Sequence, residues 1–212
     1  MNISVVDPPA VRYVLVVCAS PDDMVFALGG VIGAFADAGT SVQVVLLTGG
    51  RLGSAATGFQ VGAVADRLGV CEVELLGHTL PELRDAGVDG LAREVAAMAG
   101  RADAVLAVDA RGERRRSARA VAFQTAVRVA TLIGAPMYGW SAMPPRPRLI
   151  DDSTIAVDVD RTRQQAAIGG LVGISVGGVA GRRWPGSPQE YLTLCFTGTP
   201  SSVGRAGVPG TW

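Results

Sequence analysis

The stretch that decides the fold covers residues 12–24 and reads RYVLVVCASPDDM. Its first half contains an uninterrupted apolar run at 14–17, which is typical of a strand buried on both faces of a parallel sheet. Its second half, SPDD at 20–23, favours the start of a helix. Ser is a preferred N-cap, Pro is tolerated in the first turn, and carboxylates are stabilised near the positive end of the helix dipole. The stretch therefore predicts a central strand followed by a turn and a helix.

The rest of the chain alternates strand-like and helix-like segments, which is the pattern of an α/β fold with a mainly parallel sheet. We predict further strands over 41–48, 71–76, 104–108 and 136–139, and helices over 22–38, 59–68, 88–99 and 117–132. The pattern changes after Trp140, where we predict an exposed edge strand over 154–159, a helix over 162–173 and a last strand over 191–196. The expected architecture is a single Rossmann-like domain over 1–200, with helices on both faces of the sheet, followed by a flexible tail over 201–212.

Composition narrows the class of protein. The 212 residues carry no formal net charge, so nothing electrostatic indicates a nucleic-acid partner. The three cysteines, Cys18, Cys71 and Cys195, are widely spaced and form no Cys-x-x-Cys pair, which argues against a disulfide framework or a structural zinc site. The first residues lack the features of a signal peptide, and we expect a cytoplasmic protein.

One uncharged segment, 166–181, contains a glycine at every fourth position, at 169, 173, 177 and 181. This spacing occurs where membrane helices pack closely, but the segment is shorter than the ~20 residues that cross a bilayer. We expect a buried segment or a contact between copies in a homo-oligomer, and no membrane span.

Functional residues are expected at one edge of the sheet, because ligands of open parallel sheets bind beyond the carboxyl ends of the strands. The loops that reach this edge are 20–24, 49–54, 77–83 and 109–119. The glycines at 49, 50 and 53 do not form a Gly-x-Gly-x-x-Gly fingerprint, and no Ser or Cys sits in a Gly-x-Ser-x-Gly elbow with a paired His. Dinucleotide binding and triad hydrolysis are therefore not supported.

The motif ASPDDM at 19–24, with Gly-Gly at 29–30 and again at 49–50, resembles the PIG-L/LmbE-like family of zinc-dependent N-deacetylases. In that family the turn reads Ala-His-Pro-Asp-Asp-Glu, and a later segment reads His-Pro-Asp-His-Arg-Ala-Val. The corresponding segment here is RRSARAV at 115–121. The resemblance covers most of the chain and implies a deacetylase-like α/β fold.

The resemblance also implies roles for the turn. In the family, the first Asp of the turn is the general base, and the second Asp binds zinc together with the His of the turn and the last His of the later segment. Asp22 matches the base and Asp23 matches the carboxylate ligand. Ser20 and Ala118 stand at the two histidine positions, and Met24 replaces the Glu.

A catalytic zinc ion needs about three protein ligands. One carboxylate and one hydroxyl are a poor substitute, so we expect no metal and no other cofactor. A rebuilt site that uses Asp23 and His78, the only histidine, stays open as an alternative.

Arg115 and Arg116 stand at the first two positions of the family's His-Pro-Asp-His segment, and Arg119 follows one turn later. A guanidinium is permanently charged and can pair with a carboxylate or an anionic substrate group, but it cannot lower the pKa of a bound water as zinc does. We therefore expect acid–base chemistry on a small polar or anionic molecule. The candidate catalytic residues are Asp22 and Asp23, and the candidate substrate-binding residues are Ser20, Met24, Arg51, His78, Arg115 and Arg119.

Two functions from different classes follow. The first is a divergent enzyme of the deacetylase-like fold that acts without metal on a small polar metabolite, such as an amide or amine compound of a specialised biosynthetic pathway. The second is a non-catalytic descendant that binds a small molecule or serves as a partner subunit. The SPDD turn suits the second function equally well, because Ser-x-x-Asp is by itself a helix-capping pattern.

Overall fold

The apolar run near the amino terminus forms a strand at the centre of the sheet. This strand, β2 (Tyr13–Cys18), pairs in parallel with β3 (Ser41–Thr48) on one side and with β5 (Ala104–Val108) on the other. Residues 14–18 are at most 1% exposed. The run is apolar throughout because both faces of the strand are covered. The predicted central strand is confirmed.

The computed structural model describes residues 3, 5–49, 58–114, 116–143, 154–170 and 189–197. The other strands in these ranges are β1 (Val5–Val6), β4 (Val70–His78), β6 (Met137–Ser141), β7 (Thr154–Asp158) and β8 (Gln189–Phe196). They form one sheet in the order β1-β7-β8-β6-β5-β2-β3-β4. All neighbours are parallel except β8, which runs antiparallel to both β6 and β7. The predicted α/β domain with a mainly parallel sheet is confirmed.

Helices cover both faces of this sheet. They are α1 (Gly29–Asp37), α2 (Gly58–Leu68), α3 (Leu80–Asp85), α4 (Val88–Met98), α5 (Ala118–Ile133) and α6 (Thr162–Gly170). Val14 and Val16 of β2 pack in the core under α1, α2 and α6, whereas Leu15 and Val17 pack in the core under α3, α4 and α5. The alternation of strand side chains between two faces therefore produces two cores on one central strand.

The predicted helix over 22–38 is interrupted. A π-helical segment, Asp23–Ala27, precedes α1, and we call this segment the Asp23 turn. Apolar periodicity cannot reveal the interruption, because every residue from 23 to 33 except Phe26 is buried, and no one-sided apolar stripe exists whose spacing could shift. The helix ends where the prediction over 22–38 ends it, and Gly39, with φ at +82°, follows directly.

The prediction for 154–159 is wrong in one respect. That segment forms β7, but β7 is an interior strand between β1 and β8 rather than an exposed edge. The two-residue strand β1 carries too little sequence signal to be predicted. The short helix α3 was also missed, although it begins with a capping box in which Thr79 and Glu82 exchange hydrogen bonds.

Some expectations fall on parts of the chain that the structure does not describe. The structure does not describe the tail after residue 197, nor the glycine-rich segment from residue 171 onward.

Within the described residues, no helix combines the length and the apolar character that a membrane span needs. The three cysteines lie within the described residues and form no disulfide, and Cys71 is exposed although it lies in β4.

Candidate active site

Two adjacent carboxylates follow the carboxyl end of β2. The backbone carbonyl of Ser20 accepts hydrogen bonds from the N–H groups of Asp23 at 3.0 Å and Met24 at 3.3 Å, which closes the chain into a tight turn. The two carboxylates that follow differ in burial: Asp22 is partly exposed, whereas the Asp23 side chain is only 5% exposed. One acid is therefore accessible to a substrate, and the other is held inside the protein.

The buried acid is paired with an arginine from the first turn of α5. Arg119 Nε donates to Asp23 Oδ1 at 2.7 Å, and Arg119 Nη1 lies 3.8 Å from Glu113 Oε1. This pairing is possible because β5 neighbours β2, so the loop after β5 meets the turn after β2. The Arg119 side chain is 44% exposed, so part of it remains accessible to a ligand. The site therefore holds a fixed positive charge beside the Asp23 carboxylate.

The charged groups of the site shift one another's pKa values. Burial raises the pKa of Asp23, and the neighbouring Asp22 and Glu113 raise it further, while Arg119 acts in the opposite direction. Burial alone lowers the pKa of Arg119, but the attraction of Asp23, Glu113 and Asp22 outweighs it, and the net pKa is raised. The positive charge of Arg119 thus offsets part of the cost of burying the ionised Asp23 carboxylate.

The loop after β5 is rigidly connected to the start of α5. Ser117 is the N-cap residue: its Oγ accepts a hydrogen bond from the Ala120 N–H at 3.0 Å. The same hydroxyl donates to Glu113 Oε2 at 2.6 Å. Ser117 therefore fixes both the helix that carries Arg119 and the second acid near the Arg119 guanidinium.

A second ion pair lies in the same loop. Arg111 donates to Asp109 from Nε at 3.0 Å and from Nη2 at 2.6 Å, which is a two-pronged guanidinium–carboxylate contact. Arg111 and Glu113 also line a small cleft of about 200 Å³ against Phe123. Sequence reasoning selected the loop 109–119 but not these individual residues. The Asp-x-Arg spacing directly after a buried strand is the signal that could have found the pair.

The structure does not bring all predicted site residues together. His78 ends β4, which is separated from β2 by β3, and its Nε2 lies 3.7 Å from Glu94 Oε2 of α4. Met24 is fully buried in the core and does not reach the surface of the site. Arg51 and Arg115 lie outside the described residues. Ser20, Asp22, Asp23 and Arg119 do meet at one edge.

The described donors do not fit the zinc site that the resemblance implies. One oxygen of Asp23 is bound to Arg119, and the residue just before Arg119 is Ala118, whose methyl group cannot bind a metal. The pKa of Cys18 is raised by burial and by Asp23, which disfavours the thiolate that a metal would need. Within the described ranges, no three His, Cys, Asp or Glu side chains are grouped so that they could hold a metal ion.

Comparison with known proteins connects this geometry to a fold. No protein-family model and no curated protein matches the sequence. Among solved structures, the chain is similar to 4-carboxy-2-hydroxymuconate hydratase (GalB) from Pseudomonas putida KT2440, with a TM-score of 0.57, 19% identity and coverage of 92% of this chain and 100% of the hydratase.

Deacetylases are also among the similar structures. The N,N'-diacetylchitobiose deacetylase from Pyrococcus horikoshii has a TM-score of 0.53 and 18% identity, over 76% of this chain and 68% of the deacetylase. The A40926 pseudoaglycone deacetylase Dbv21 has a TM-score of 0.59 and 15% identity, over 86% of this chain and 96% of that enzyme. The chain therefore has the fold that these deacetylases share with the hydratase.

Proposed function

We propose that this protein is an enzyme that acts on a small polar metabolite, of the amide or amine type, by metal-independent acid–base chemistry. The observation that carries the proposal is the 2.7 Å hydrogen bond between Arg119 Nε and Asp23 Oδ1. It puts a permanent cation against the carboxylate that, by resemblance, would otherwise bind zinc. A guanidinium there balances the buried charge and engages one of the Asp23 carboxylate oxygens that a dication would need.

Each residue then has a defined role. Asp23 anchors Arg119, and Arg119 presents its exposed terminal nitrogens to a carbonyl or anionic group of the substrate. Asp22, which is adjacent and partly exposed, transfers the proton. Because an arginine does not generate hydroxide from water, Asp22 has to activate the nucleophile or the substrate directly.

The substrate is proposed to bind between the turn after β2 and the loop after β5. Ser20 borders this space on one side, and Arg119 borders it on the other. We assign Arg51 and Arg115 to the same binding edge, because 49–54 and 109–119 follow the carboxyl ends of β3 and β5. We assign no chemical step to His78, whose imidazole lies beside Glu94.

The fold neighbours support this class of substrate. Two of them are deacetylases of an acetylated sugar and of an antibiotic pseudoaglycone, and one is a hydratase of a carboxylated compound. The hydratase also shows that this fold supports reactions other than deacetylation. A proton transfer on a polar small molecule is common to both reaction types.

The test is a turnover assay on the purified full-length protein with a panel of N-acetyl amines, amides and unsaturated carboxylic acids. Each compound is assayed with added zinc, with no added metal and after treatment with a chelator. We expect turnover that does not respond to zinc or to the chelator. The variant Asp22→Asn should reduce kcat by about 100-fold or more, as is typical for loss of a general acid or base.

Asp89→Asn is the matched control, because Asp89 is an exposed acid on α4 whose partner, Arg128, lies about two and a half helical turns after Arg119 on α5. This variant should keep full activity. Turnover that requires stoichiometric zinc, or turnover unaffected by Asp22→Asn, would contradict the proposal. Binding of a panel compound without turnover of any would favour the non-catalytic alternative.

A further inference from the structure

The Asp23 turn is joined to α1 by an irregular hydrogen-bond pattern. The Leu28 N–H donates to the Asp23 carbonyl at 2.9 Å, five residues earlier, whereas the Ile32 N–H donates to the Leu28 carbonyl at 2.8 Å, four residues earlier. The turn therefore contains one more residue than an α-helical turn would. α1 begins anew at Gly29, and Leu28 at its N-cap position makes no side-chain capping bond.

The missing cap is supplied from the far end of the chain. The N–H of Val31, the third residue of α1, donates to Glu190 Oε2 of β8 at 3.0 Å. Glu190 is 1% exposed, and its carboxylate lies where the positive end of the α1 dipole stabilises negative charge. A residue 159 positions away in sequence therefore does what an N-cap side chain normally does.

Glu190 is itself held in place by two further donors. Trp140 Nε1 donates to Glu190 Oε2 at 2.7 Å, and Arg161 Nη1 donates to Glu190 Oε1 at 3.0 Å. Arg161 Nη1 also donates to Gln164 Oε1 at 2.7 Å, and Gln164 Nε2 donates to the carbonyl of Val25 within the Asp23 turn at 2.7 Å. We call Trp140, Arg161, Gln164 and Glu190 the Glu190 network.

Two glycines make room for this network. A Cβ atom on Gly30 would lie 2.6 Å from Glu190 Oε1, and a Cβ atom on Gly29 would lie 2.9 Å from Gln164 Nε2. Both distances are too short for real atoms, so only glycine allows the carboxylate and the amide to reach the backbone there. Gly29-Gly30 is thus the contact surface of the network rather than a weak point of the helix.

We propose that Glu190 and Gln164 are positioning residues that hold the Asp23 turn in its π-helical form and thereby direct the Asp23 carboxylate toward Arg119. If the turn and α1 merged into one regular α-helix, the loss of one residue of offset would rotate Asp23 by about 100° around the helix axis. The rotation would break the 2.7 Å bond to Arg119. The meaning of this role for activity rests on the proposed function, but the structural role does not.

The test detects the irregular hydrogen bond directly by NMR of the full-length protein. Scalar coupling through the hydrogen bond should connect the Leu28 amide nitrogen to the Asp23 carbonyl carbon. In Glu190→Ala we expect this coupling to be replaced by one from Leu28 to the Met24 carbonyl. The Arg119 Nε–H signal should shift, and the Val31 amide should exchange about tenfold faster or more.

Gln164→Leu is a milder second variant, because it removes the donor to Val25 while Arg161 still pairs with Glu190. It should weaken the coupling between Leu28 and Asp23, and it decides the matter alone if Glu190→Ala does not fold. Thr193→Val is the control. It removes the Thr193 hydroxyl, whose Oγ1 lies 3.2 Å from Thr154 Oγ1. Thr193 is on the same strand as Glu190, and the variant should leave the coupling unchanged.

An unchanged coupling between Leu28 and Asp23, together with an unchanged Arg119 Nε–H signal, in a folded Glu190→Ala or Gln164→Leu protein would overturn the inference. These spectra need no substrate. The inference can therefore fail while metal-independent turnover is observed, and it can hold while no turnover is found.

Discussion

Arg119 Nε lies 2.7 Å from Asp23 Oδ1, and this bond joins the carboxyl ends of the neighbouring strands β2 and β5. Asp23 is almost fully buried, so its charge has little contact with water. Arg119 is partly exposed and can point its remaining nitrogens outward. The pair therefore holds a fixed positive charge at the edge of the sheet against a buried acid, and the free energy of this pairing can be measured.

Replacement of Arg119 by Leu should lower the unfolding free energy by about 1–2 kcal/mol at neutral pH, because a buried carboxylate loses its charged partner. The value lies below that for a fully buried ion pair because Arg119 is partly exposed and water screens its charge. The pKa of Asp23 should rise further, since Arg119 lowers it. Urea denaturation and carboxyl NMR measure the two effects.

Arg128→Leu is the matched control for this change. Arg128 Nε also donates to an aspartate, Asp89, at 2.7 Å, but both side chains are exposed. Exposed ion pairs contribute about 0–1 kcal/mol, so this variant should differ little from the wild type. Equal losses in the two variants would show that burial of Asp23 does not strengthen its pairing.

The pH dependence of stability should reveal the buried acid. The pKa of Asp23 is higher in the folded state than in the unfolded state. Asp23 therefore contributes to folding stability at a pH below its unfolded-state pKa, and this contribution is lost as the pH rises through its folded-state pKa. Asp23→Asn removes this loss. The stability of the variant relative to the wild type should therefore increase as the pH is raised from 4 to about 8, measured by denaturant unfolding at each pH.

Asp160→Asn should show the opposite sign. Hydrogen bonds from the hydroxyl and backbone N–H of Thr162 lower the pKa of Asp160, so its contribution is present above the unfolded pKa and is lost on acidification. The unfolding free energy of Asp160→Asn should decrease relative to that of the wild type as the pH rises.

For the Asp23→Asn prediction, parallel pH profiles of stability for wild type and variant would contradict the buried-acid interpretation.

Gly30→Ala should destabilise the protein by about 1–3 kcal/mol, the usual cost of forcing an atom into a packed interior. The added Cβ would lie 2.6 Å from Glu190 Oε1, and the carboxylate cannot move aside freely because three donors hold it. Thermal or denaturant unfolding measures the change.

Gly62→Ala tests whether this cost is specific. Gly62 lies within α2 and a Cβ atom there would contact nothing within 4 Å. The substitution should stabilise the protein by about 0.5–1 kcal/mol, because alanine favours a helix more than glycine does. A Gly30→Ala protein as stable as Gly62→Ala would mean that the network does not restrict the space at Gly30.

Ser117→Ala should lower the unfolding free energy by about 1 kcal/mol, because α5 loses its N-cap bond to the Ala120 N–H. Glu113 should become more mobile, since its 2.6 Å bond from the Ser117 hydroxyl is also removed. Denaturant unfolding and side-chain relaxation measure these effects. Ser117→Thr keeps the hydroxyl and should stay within about 0.5 kcal/mol of the wild type; equal stability of the alanine and threonine variants would contradict the role of the cap.

Much of the fold was predictable because its signals are local. The strand over 41–48 and the strand over 104–108 have the predicted bounds, and Ser117 caps α5 where its helix was predicted to begin. Apolar runs, glycine stops and capping side chains act over a few residues, so they can be read directly. The failures have different causes. β1 is only two residues long, and α3 was missed although its capping box is local. The interior place of β7 depends on which strands pair, and a strand's own residues do not state its partner.

The candidate site divides in the same way. The sequence by itself placed Asp22 and Asp23 after the central strand and Arg119 after a later one, since both follow from the carboxyl-edge rule for parallel sheets. Only the tertiary structure decided that Arg119 bonds to Asp23 across 96 residues and that Glu190 caps α1 across 159 residues. Such contacts depend on the order of strands in the sheet, which is set by the joint packing of the whole chain and therefore leaves no signal in any one segment.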